Sequence, residues 1–356
     1  MIFKHSWIKM TVALVILLGC RERIFLDTLP EDFQLIAING LIDSSEGPYF
    51  IAVQETRSAN RAPIPVEEAL VELVDDLGNR EVCPYFENGT YQCAGNVVQG
   101  NSGVAYHIEV RLGADLYQSV PEVMPAILGT NRLEWEETGI PTTTASGIDV
   151  VTTMLDFDLI AALPDVTEPV FLQWQLLETF QIRPTDFPDP FGFIPPPCFI
   201  TQNIGIQNFY TLALNEFANP IYTIPSVIQR EIDNSFVIKH IFSIHQSSVT
   251  ETYFNYLEQT RTLTEATGSL FDPPAGRVIG NIMHEGSGLA ATGYFAAVAK
   301  DTTHMVIYRE EIETPIDDVC LYNQFKPVDD YPRTCLDCSI IPRSTYEEPY
   351  WWSKVQ

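Results

Sequence analysis

The sequence predicts a mainly β protein: an N-terminal β-sandwich of immunoglobulin or transthyretin type, followed by a larger β-rich domain that carries one prominent helix. Between residues 35 and 124, seven short apolar or alternating runs are separated by turn residues, as in a β-sandwich. Similar runs follow residue 126, and only residues 249–264 repeat their apolar side chains at the helical period. The 356 residues are enough to bury a substantial core.

Residues 1–19 have the build of a bacterial lipoprotein signal peptide. A positively charged start with Lys4 and Lys9 precedes an apolar run, which the lipobox Leu17-Leu18-Gly19-Cys20 closes. The run is shorter than the roughly 20 apolar residues of a spanning helix, which disfavours the alternative of an uncleaved membrane anchor. We therefore expect lipidation at Cys20, acyl chains that insert into a lipid bilayer, and a tether over residues 20–33.

The predicted sandwich occupies residues 34–125. Its expected strands are 35–42, 49–56, 69–74, 82–86, 91–94, 104–111 and 116–120. Cys83 and Cys93 flank a predicted hairpin. A three-residue loop, Glu87-Asn88-Gly89 with Gly89 left-handed, would place the two cysteines opposite each other, whereas a two-residue Asn88-Gly89 turn would not. The expected disulfide therefore favours the longer loop.

The second domain is predicted to span residues 126–356. Pro121, Pro125 and the polar stretch 139–146 separate it from the sandwich. Its expected strands are 148–157, 170–177, 207–214, 235–244, 291–298 and 304–308. The helix near 249–264 is opened by Ser248 and Glu251, which have the spacing of a capping box.

A proline-rich segment, residues 183–198, interrupts this domain with six prolines in sixteen residues. Proline cannot donate to a sheet, so the segment is expected to run outside it as a projecting loop. The loop carries Phe187, Phe191 and Phe193, which are candidate contacts for a partner or ligand. The alternative is that these phenylalanines fold back onto the second domain.

Four further cysteines, Cys198, Cys320, Cys335 and Cys338, complete an even set in an exported chain, which favours disulfides and leaves three pairings open. Such bonds would staple the tail and the proline-rich loop onto the domain. The alternatives are a Cys₄ zinc site and a redox role for Cys335-Leu-Asp-Cys338, but export disfavours free thiolates and no helix follows the latter pair.

The net charge and the absence of catalytic motifs restrict the classes of function that the sequence supports. With 20 basic and 47 acidic side chains the formal net charge is −27, which disfavours nucleic acid as a partner. No phosphate loop, zinc-protease motif or nucleophile elbow is present, and Ser287 is expected in a turn. We predict a non-catalytic binding or accessory module without metal or cofactor; the alternatives are a polysaccharide hydrolase with paired carboxylates, or a structural or adhesive surface protein.

Motifs at both ends of the chain carry a family resemblance. They are Leu35-Ile-Ala-Ile-Asn-Gly40, Pro65-Val-Glu-Glu-Ala-Leu-Val-Glu-Leu-Val74, Gly89-Thr-Tyr91, Tyr106, Ser247-Ser248, Gly268-Ser-Leu-Phe-Asp-Pro-Pro274, Gly280-Asn-Ile282, Gly293-Tyr-Phe295, Cys335-Leu-Asp-Cys338 and Pro349-Tyr-Trp-Trp352. In order and spacing they resemble the Bacteroidetes lipoprotein family called domain of unknown function 4249. The resemblance implies an outer-membrane lipoprotein with an immunoglobulin-like front domain, associated with TonB-dependent transporters and without catalytic residues. The mixed charges of Arg21-Glu22-Arg23 leave open which membrane face displays it.

Overall fold

The structure, a computed structural model, describes residues 35–57, 61–143, 146–163, 168–188, 191–192, 194–205, 207, 209–214, 221–265, 278–288 and 290–355. The predicted signal peptide, Cys20, the tether and Phe193 lie outside the described residues. So does the predicted turn at 268–274. None of the described helices is both long and apolar enough to cross a membrane.

The prediction of a mainly β fold is confirmed, with twenty strands and two α-helices in the described part of the chain. The helices are α1 Glu251–Glu265 and α2 Arg333–Leu336. The strands are β1 Ile36–Asp43, β2 Tyr49–Glu55, β3 Ile64–Pro65, β4 Leu70–Asp75, β5 Arg80–Cys83, β6 Tyr85–Glu87, β7 Thr90–Cys93, β8 Ala105–Leu112, β9 Asp115–Ser119, β10 Glu122–Val123, β11 Thr130–Thr143, β12 Asp149–Ala162, β13 Val170–Ile182, β14 Cys198–Asn203, β15 Tyr210–Leu214, β16 Ile221–Glu231, β17 Lys239–Val249, β18 Ile282–His284, β19 Phe295–Tyr308 and β20 Ser344–Thr345.

Three sheets organise these strands. The first has the order β20-β14-β13-β17-β19-β1-β2-β7-β6, with β15 beside β13 and β3 beside β2; the second is β18-β9-β8-β4-β5, with β10 on β8; the third is β11-β12-β16. The first sheet runs through both halves of the chain because β1 pairs in parallel with β19, Gly40 opposite Phe295. The sandwich core accordingly includes Ile282 and Phe295, from beyond residue 126, together with the strands of the front segment.

A second core lies between the third sheet and the inner face of β13 and β17. Its largest buried side chains include Trp174, Phe157 and Phe242. The Trp174 indole donates to Asn131 Oδ1 at 2.9 Å and to Gln246 Oε1 at 3.1 Å, which satisfies its N–H inside the apolar layer. This core packs the third sheet against the first.

The local structure differs from the prediction at two places in the second half of the chain. The stretch 139–146, expected as a polar separator, is largely strand, because β11 continues to Thr143 and pairs there with Asp149 of β12. The helix begins at Glu251, two residues after β17 ends, so its cap is Thr250, whose hydroxyl accepts from Tyr253 N at 3.2 Å. Ser248 cannot cap the helix because it is still paired within the sheet, opposite Leu172.

The hairpin around Asn88-Gly89 also differs from the prediction. Glu87 pairs with Thr90, so the turn has two residues, both with positive φ: 47° at Asn88 and 77° at Gly89. The left-handed Gly89 is as expected, but the three-residue loop is wrong. Pro84 ends β5 in the second sheet, and the chain enters β6 in the first. The disulfide therefore joins the two sheets of the sandwich instead of facing strands of one hairpin.

Candidate binding surface

The part of the chain that the structure describes contains three disulfides. Cys83–Cys93 has a Cα–Cα distance of 4.2 Å. Cys198 pairs with Cys338 and Cys320 pairs with Cys335, so the two cysteines of Cys335-Leu-Asp-Cys338 belong to different bonds. All six candidate cysteines are thus bonded as disulfides. Within the described residues, no three histidine, cysteine, aspartate or glutamate side chains lie together in a way that could hold a metal ion.

The proline-rich loop meets the tail, which comprises residues 309–355 after β19, at Phe187. Its ring packs edge-on against Tyr331 at 5.3 Å and Tyr322 at 5.9 Å between centroids, beside the buried Cys320–Cys335 bond. The backbone adds to this contact, since Thr185 N donates to Cys335 O at 2.7 Å. The described residues of the loop form no strand before Cys198, as predicted.

Around this junction the tail exposes large apolar side chains, which we call the stapled surface: Val319, Leu321, Tyr322 and Phe325, with Phe187 beneath them. Phe325 is 84% exposed and Leu321 is 69% exposed. They border a depression of about 530 Å³ that extends from Asp318 to Lys326. A smaller depression of about 220 Å³, lined by Arg183 and Ile238 among others, shares Asp318 with it.

The stapled surface is held from below by polar contacts. Asn234 Oδ1 accepts from Val319 N at 3.2 Å, and Asp318 Oδ1 accepts from Cys320 N at 3.0 Å. The Lys326 ammonium lies 4.2 Å from the centroid of the Tyr331 ring. Because disulfides, hydrogen bonds and ring contacts fix the segment, its apolar side chains are presented by an ordered backbone.

The phenylalanines predicted as contact residues differ in how exposed they are. Phe187 is half-buried and folds back onto the tail, which was the alternative for these phenylalanines. Phe191 is 94% exposed. Leu321, Tyr322 and Phe325 were missed, although their position directly after Cys320 is a signal: a disulfide-anchored segment rich in exposed aromatic residues is a candidate contact.

A buried polar cluster lies beneath this region. Glu178, which is fully buried, accepts from His240 Nε2 at 2.7 Å, from Arg230 Nε at 2.9 Å and from Gln202 Nε2 at 2.6 Å. Burial alone would raise the pKa of Glu178, but the hydrogen bond and charge of His240 and the charge of Arg230 outweigh it and lower this pKa to about 2. Burial lowers the pKa of His240.

His240 also approaches Ser235, whose Oγ lies 3.3 Å from Nδ1. Serine, histidine and glutamate therefore stand in the order of a catalytic triad. Ser235 is 4% exposed and its hydroxyl also accepts from Arg230 Nη2 at 3.0 Å, so a substrate has no open path to it. We assign this cluster to the stability of the fold.

A second serine–histidine–carboxylate set lies at the surface. His284 Nδ1 accepts from Ser287 Oγ at 2.7 Å and from Ser287 N at 3.1 Å, while Nε2 lies 3.1 Å from Asp115 Oδ1. Ser287 occupies a turn, as the sequence predicts. The hydrogen bond from Ser287 N shows that the imidazole stabilises this turn. Gly288 N donates to His284 O at 2.9 Å, so this N–H group is not free to stabilise an oxyanion.

Four carboxylates come together on the third sheet. Glu134 is opposite Asp158 and Glu136 is opposite Asp156 in the β11–β12 pair, and with Trp135 they line a pocket of about 180 Å³. Ser226 binds two of them, its N donating to Asp158 at 2.8 Å and its Oγ to Asp156 at 2.7 Å. Four of the five residues that line this pocket are carboxylates, and sequence spacing alone could not reveal it.

A model of a known protein family matches most of the chain. The family is described as "Domain of unknown function (DUF4249)", and its model matches residues 22–304. The chain belongs to this family. The match to DUF4249 confirms the resemblance and includes the front sandwich and most of β19. It ends before the tail, so Cys320, Cys335 and Cys338 lie outside it. No curated protein matches the chain.

Proposed function

We propose that this DUF4249 protein is an outer-membrane lipoprotein, anchored through acyl chains on Cys20, that acts as a non-catalytic binding or accessory module. The lipobox supports the anchor, because a cysteine after Leu-Leu-Gly at the end of a short apolar run is the acylation signal of exported bacterial proteins. Two or more acyl chains give lasting membrane attachment. The family resemblance supports a TonB-dependent transporter as the partner.

The observation that carries the binding role is the stapled surface. Exposed apolar side chains that form a contiguous patch mark contact sites in soluble domains. Here the patch is fixed by Cys320–Cys335 and Cys198–Cys338, so little conformational entropy is lost when a partner binds. Phe325 and Leu321 are the expected anchors, since large exposed apolar side chains contribute most to such interfaces.

The test is site-specific photocrosslinking in native membranes. A photoreactive phenylalanine analogue at position 325 should form a covalent adduct with a TonB-dependent transporter, identified by mass spectrometry. The same analogue at Leu77, which is 73% exposed on a turn of the front sandwich, is the matched control. Equal crosslinking from both positions, or adducts with the protein itself alone, would contradict the proposal.

Introducing negative charge into the same surface gives an independent readout. The double variant Leu321→Asp/Phe325→Asp should lose the captured transporter while keeping its melting temperature, because both side chains are exposed. Leu77→Asp should retain the transporter.

The lipid anchor has its own test. Mass spectrometry of the native N-terminus should find acyl chains on Cys20, and Cys20→Ser should leave the protein unacylated. An unmodified thiol at Cys20 would refute the anchor.

A polysaccharide hydrolase is the second candidate, favoured by the carboxylate pocket. Glu134 and Asp158 are directly opposed on antiparallel strands, so their Cβ atoms are about 4.5 to 5.5 Å apart and their carboxyl groups can approach each other across the pocket. Glycosidases use such a pair of carboxyl groups. If this function is correct, reducing ends should accumulate when the protein is incubated with polysaccharide, and Glu134→Gln and Asp158→Asn should each abolish their release. Glu310→Gln, on the tail, is the control. Binding to matrix polymers without turnover would favour an adhesive protein instead.

A further inference from the structure

One outer face of the first sheet is covered at both ends and open between them. At one end α1 lies on the sheet, with Phe254 5.2 Å from Phe171 between ring centroids. At the other end the tail packs its Trp352 on Phe199 at 5.3 Å. Next to it, the Trp351 ring stacks on His304 of β19 at 4.5 Å. The strands β13, β17 and β19 thus form the floor of a trough bounded by a helix and a tryptophan pair.

The floor of the trough is a polar strip of six side chains in two rows. Register pairs place Gln173, Ser247 and Lys300 in one row and Gln175, His245 and Thr302 in the next. Neighbouring strands are about 4.8 Å apart, and rows on one face are separated by two residues, or about 6.7 Å. Gln175 and Thr302 are exposed and the other four are half-buried, so the strip is open to solvent.

The strip holds unused hydrogen-bonding groups. Within the described part of the chain, no hydrogen bond engages the side chains of Gln173, Gln175, His245 or Thr302. In the following row, Ser243 Oγ lies 2.8 Å from His304 Nδ1, which orients the imidazole that supports Trp351. The trough therefore combines amide, imidazole and hydroxyl groups with an indole ring at its end.

The charge of the strip differs from that of the whole protein. None of its six residues is acidic, whereas the whole chain carries a formal charge of −27. Its one ammonium group, Lys300 Nζ, lies 3.9 Å from Asp43 Oδ2. Burial, together with the charges of Lys300 and His304, lowers the pKa of His245 to about 4, so this ring is neutral at pH 7. The strip is close to neutral, and a polyanion would be repelled by the rest of the molecule.

We propose that the polar strip binds an uncharged oligosaccharide, with one sugar ring against Trp351 and the hydroxyls of its neighbours on Gln175, His245 and Thr302. Sugar hydroxyls both donate and accept, as do these amide, imidazole and hydroxyl groups. The apolar face of a sugar ring matches the indole surface that Trp351 keeps half-exposed. The site is separate from the stapled surface and does not depend on the partner proposed there.

The test is isothermal titration of the full-length mature protein with neutral hexasaccharides of glucose, xylose and mannose, and with polygalacturonate oligomers as the charged comparison. At least one neutral hexasaccharide should bind, and Gln175→Ala and Thr302→Ala should each raise its dissociation constant at least 10-fold. Thr223→Ala, an exposed threonine on β16, is the matched control and should leave it unchanged. Far-ultraviolet circular dichroism confirms that each variant is folded.

Three results would overturn the proposal. They are failure of all the neutral hexasaccharides to bind the folded protein, tighter binding of polygalacturonate, and binding that Gln175→Ala and Thr302→Ala leave unchanged. Displacement of the bound sugar by an unrelated extended peptide would also count against it, because the strip would then recognise backbone rather than sugar. Trp351→Phe, which keeps an aromatic ring, should weaken binding less than Trp351→Ala does.

Discussion

Replacing Glu178 by glutamine should destabilise the protein by about 3 kcal/mol at pH 7. The carboxylate is fully buried, and its pKa falls from 4.5 to about 2 on folding, which at 1.36 kcal/mol for each pKa unit amounts to about 3 kcal/mol. Gln202 can rotate its own amide to accept from the new nitrogen. Arg230, however, loses its buried negative partner in either orientation, and breaking such a pair from one side costs about 3 to 5 kcal/mol.

The destabilisation caused by Glu178→Gln should become smaller as the pH falls. Because the folded pKa of Glu178 is lowered, its stabilisation is complete above pH 4.5 and is lost as the pH falls towards 2. Urea denaturation followed by tryptophan fluorescence, at pH values from 7 down to 3, measures the free energy of unfolding. The difference between the native protein and Glu178→Gln should shrink steadily below pH 4.5.

The control is Glu134→Gln. This residue also pairs with an arginine, Arg132 at 2.9 Å, but both side chains are more than half exposed, so the loss should stay below about 1 kcal/mol. Should Glu178→Gln cost no more than this control at pH 7, or should its effect persist unchanged at pH 3, the assignment of Glu178 as a buried ionised anchor would be refuted.

Two further perturbations test the front sandwich. The double variant Cys83→Ala/Cys93→Ala should lose about 3 kcal/mol of unfolding free energy, since the bond closes a loop with a sequence separation of 10, and a chemical denaturation curve that matches the native one would contradict this. Glu81→Gln should lower the free energy of unfolding by at least about 2 kcal/mol, because this buried carboxylate accepts hydrogen bonds from four successive backbone N–H groups, those of Gly95, Asn96, Val97 and Val98. A charged acceptor makes stronger hydrogen bonds than an amide does. Thermal unfolding measures the loss of stability, with Glu87→Gln at an exposed position as the control.

Much of the sandwich could be predicted because its signals are local. Alternation at Tyr106, Ile108 and Val110 marks the buried face of β8, and all three are fully buried. The turn at Asn88-Gly89 was located correctly but its length was not. Periodicity cannot show that β5 and β6 belong to different sheets, since that depends on how the chain crosses the sandwich after Pro84.

The long-range joins could not be predicted, although their residues stood out as motifs. Gly293 has a φ of 101°, and a Cβ there would lie 2.1 Å from Ile38 O, so only glycine lets the chain enter β19 beside β1. Asn281 exchanges two hydrogen bonds with Phe295, at 2.8 Å and 2.9 Å, much as a strand residue would. These contacts give Gly280-Asn-Ile282 and Gly293-Tyr-Phe295 a structural role. The residues that they contact are distant in sequence, so the sequence alone could not identify the contacts.

The carboxylate pocket and the polar strip were missed for a related reason. Each is assembled across strands, so its members are neighbours only once the register is known: Glu134 opposite Asp158, and Gln175 opposite His245. A one-residue slip would turn either set to the opposite face of its sheet. The cysteines, by contrast, were identified individually, and only the pairing of four of them needed the structure.

The tail connects the two proposed surfaces. Cys320 and Cys335 anchor its first part beneath Phe325, Cys338 ties it to β14, and Trp351 ends it at the polar strip. Because the DUF4249 match stops at residue 304, both surfaces are built from a family scaffold and a tail outside the matched region. Contact specificity at both surfaces therefore depends on side chains of the tail, since Phe325 and Trp351 lie outside the matched region and outside both buried cores.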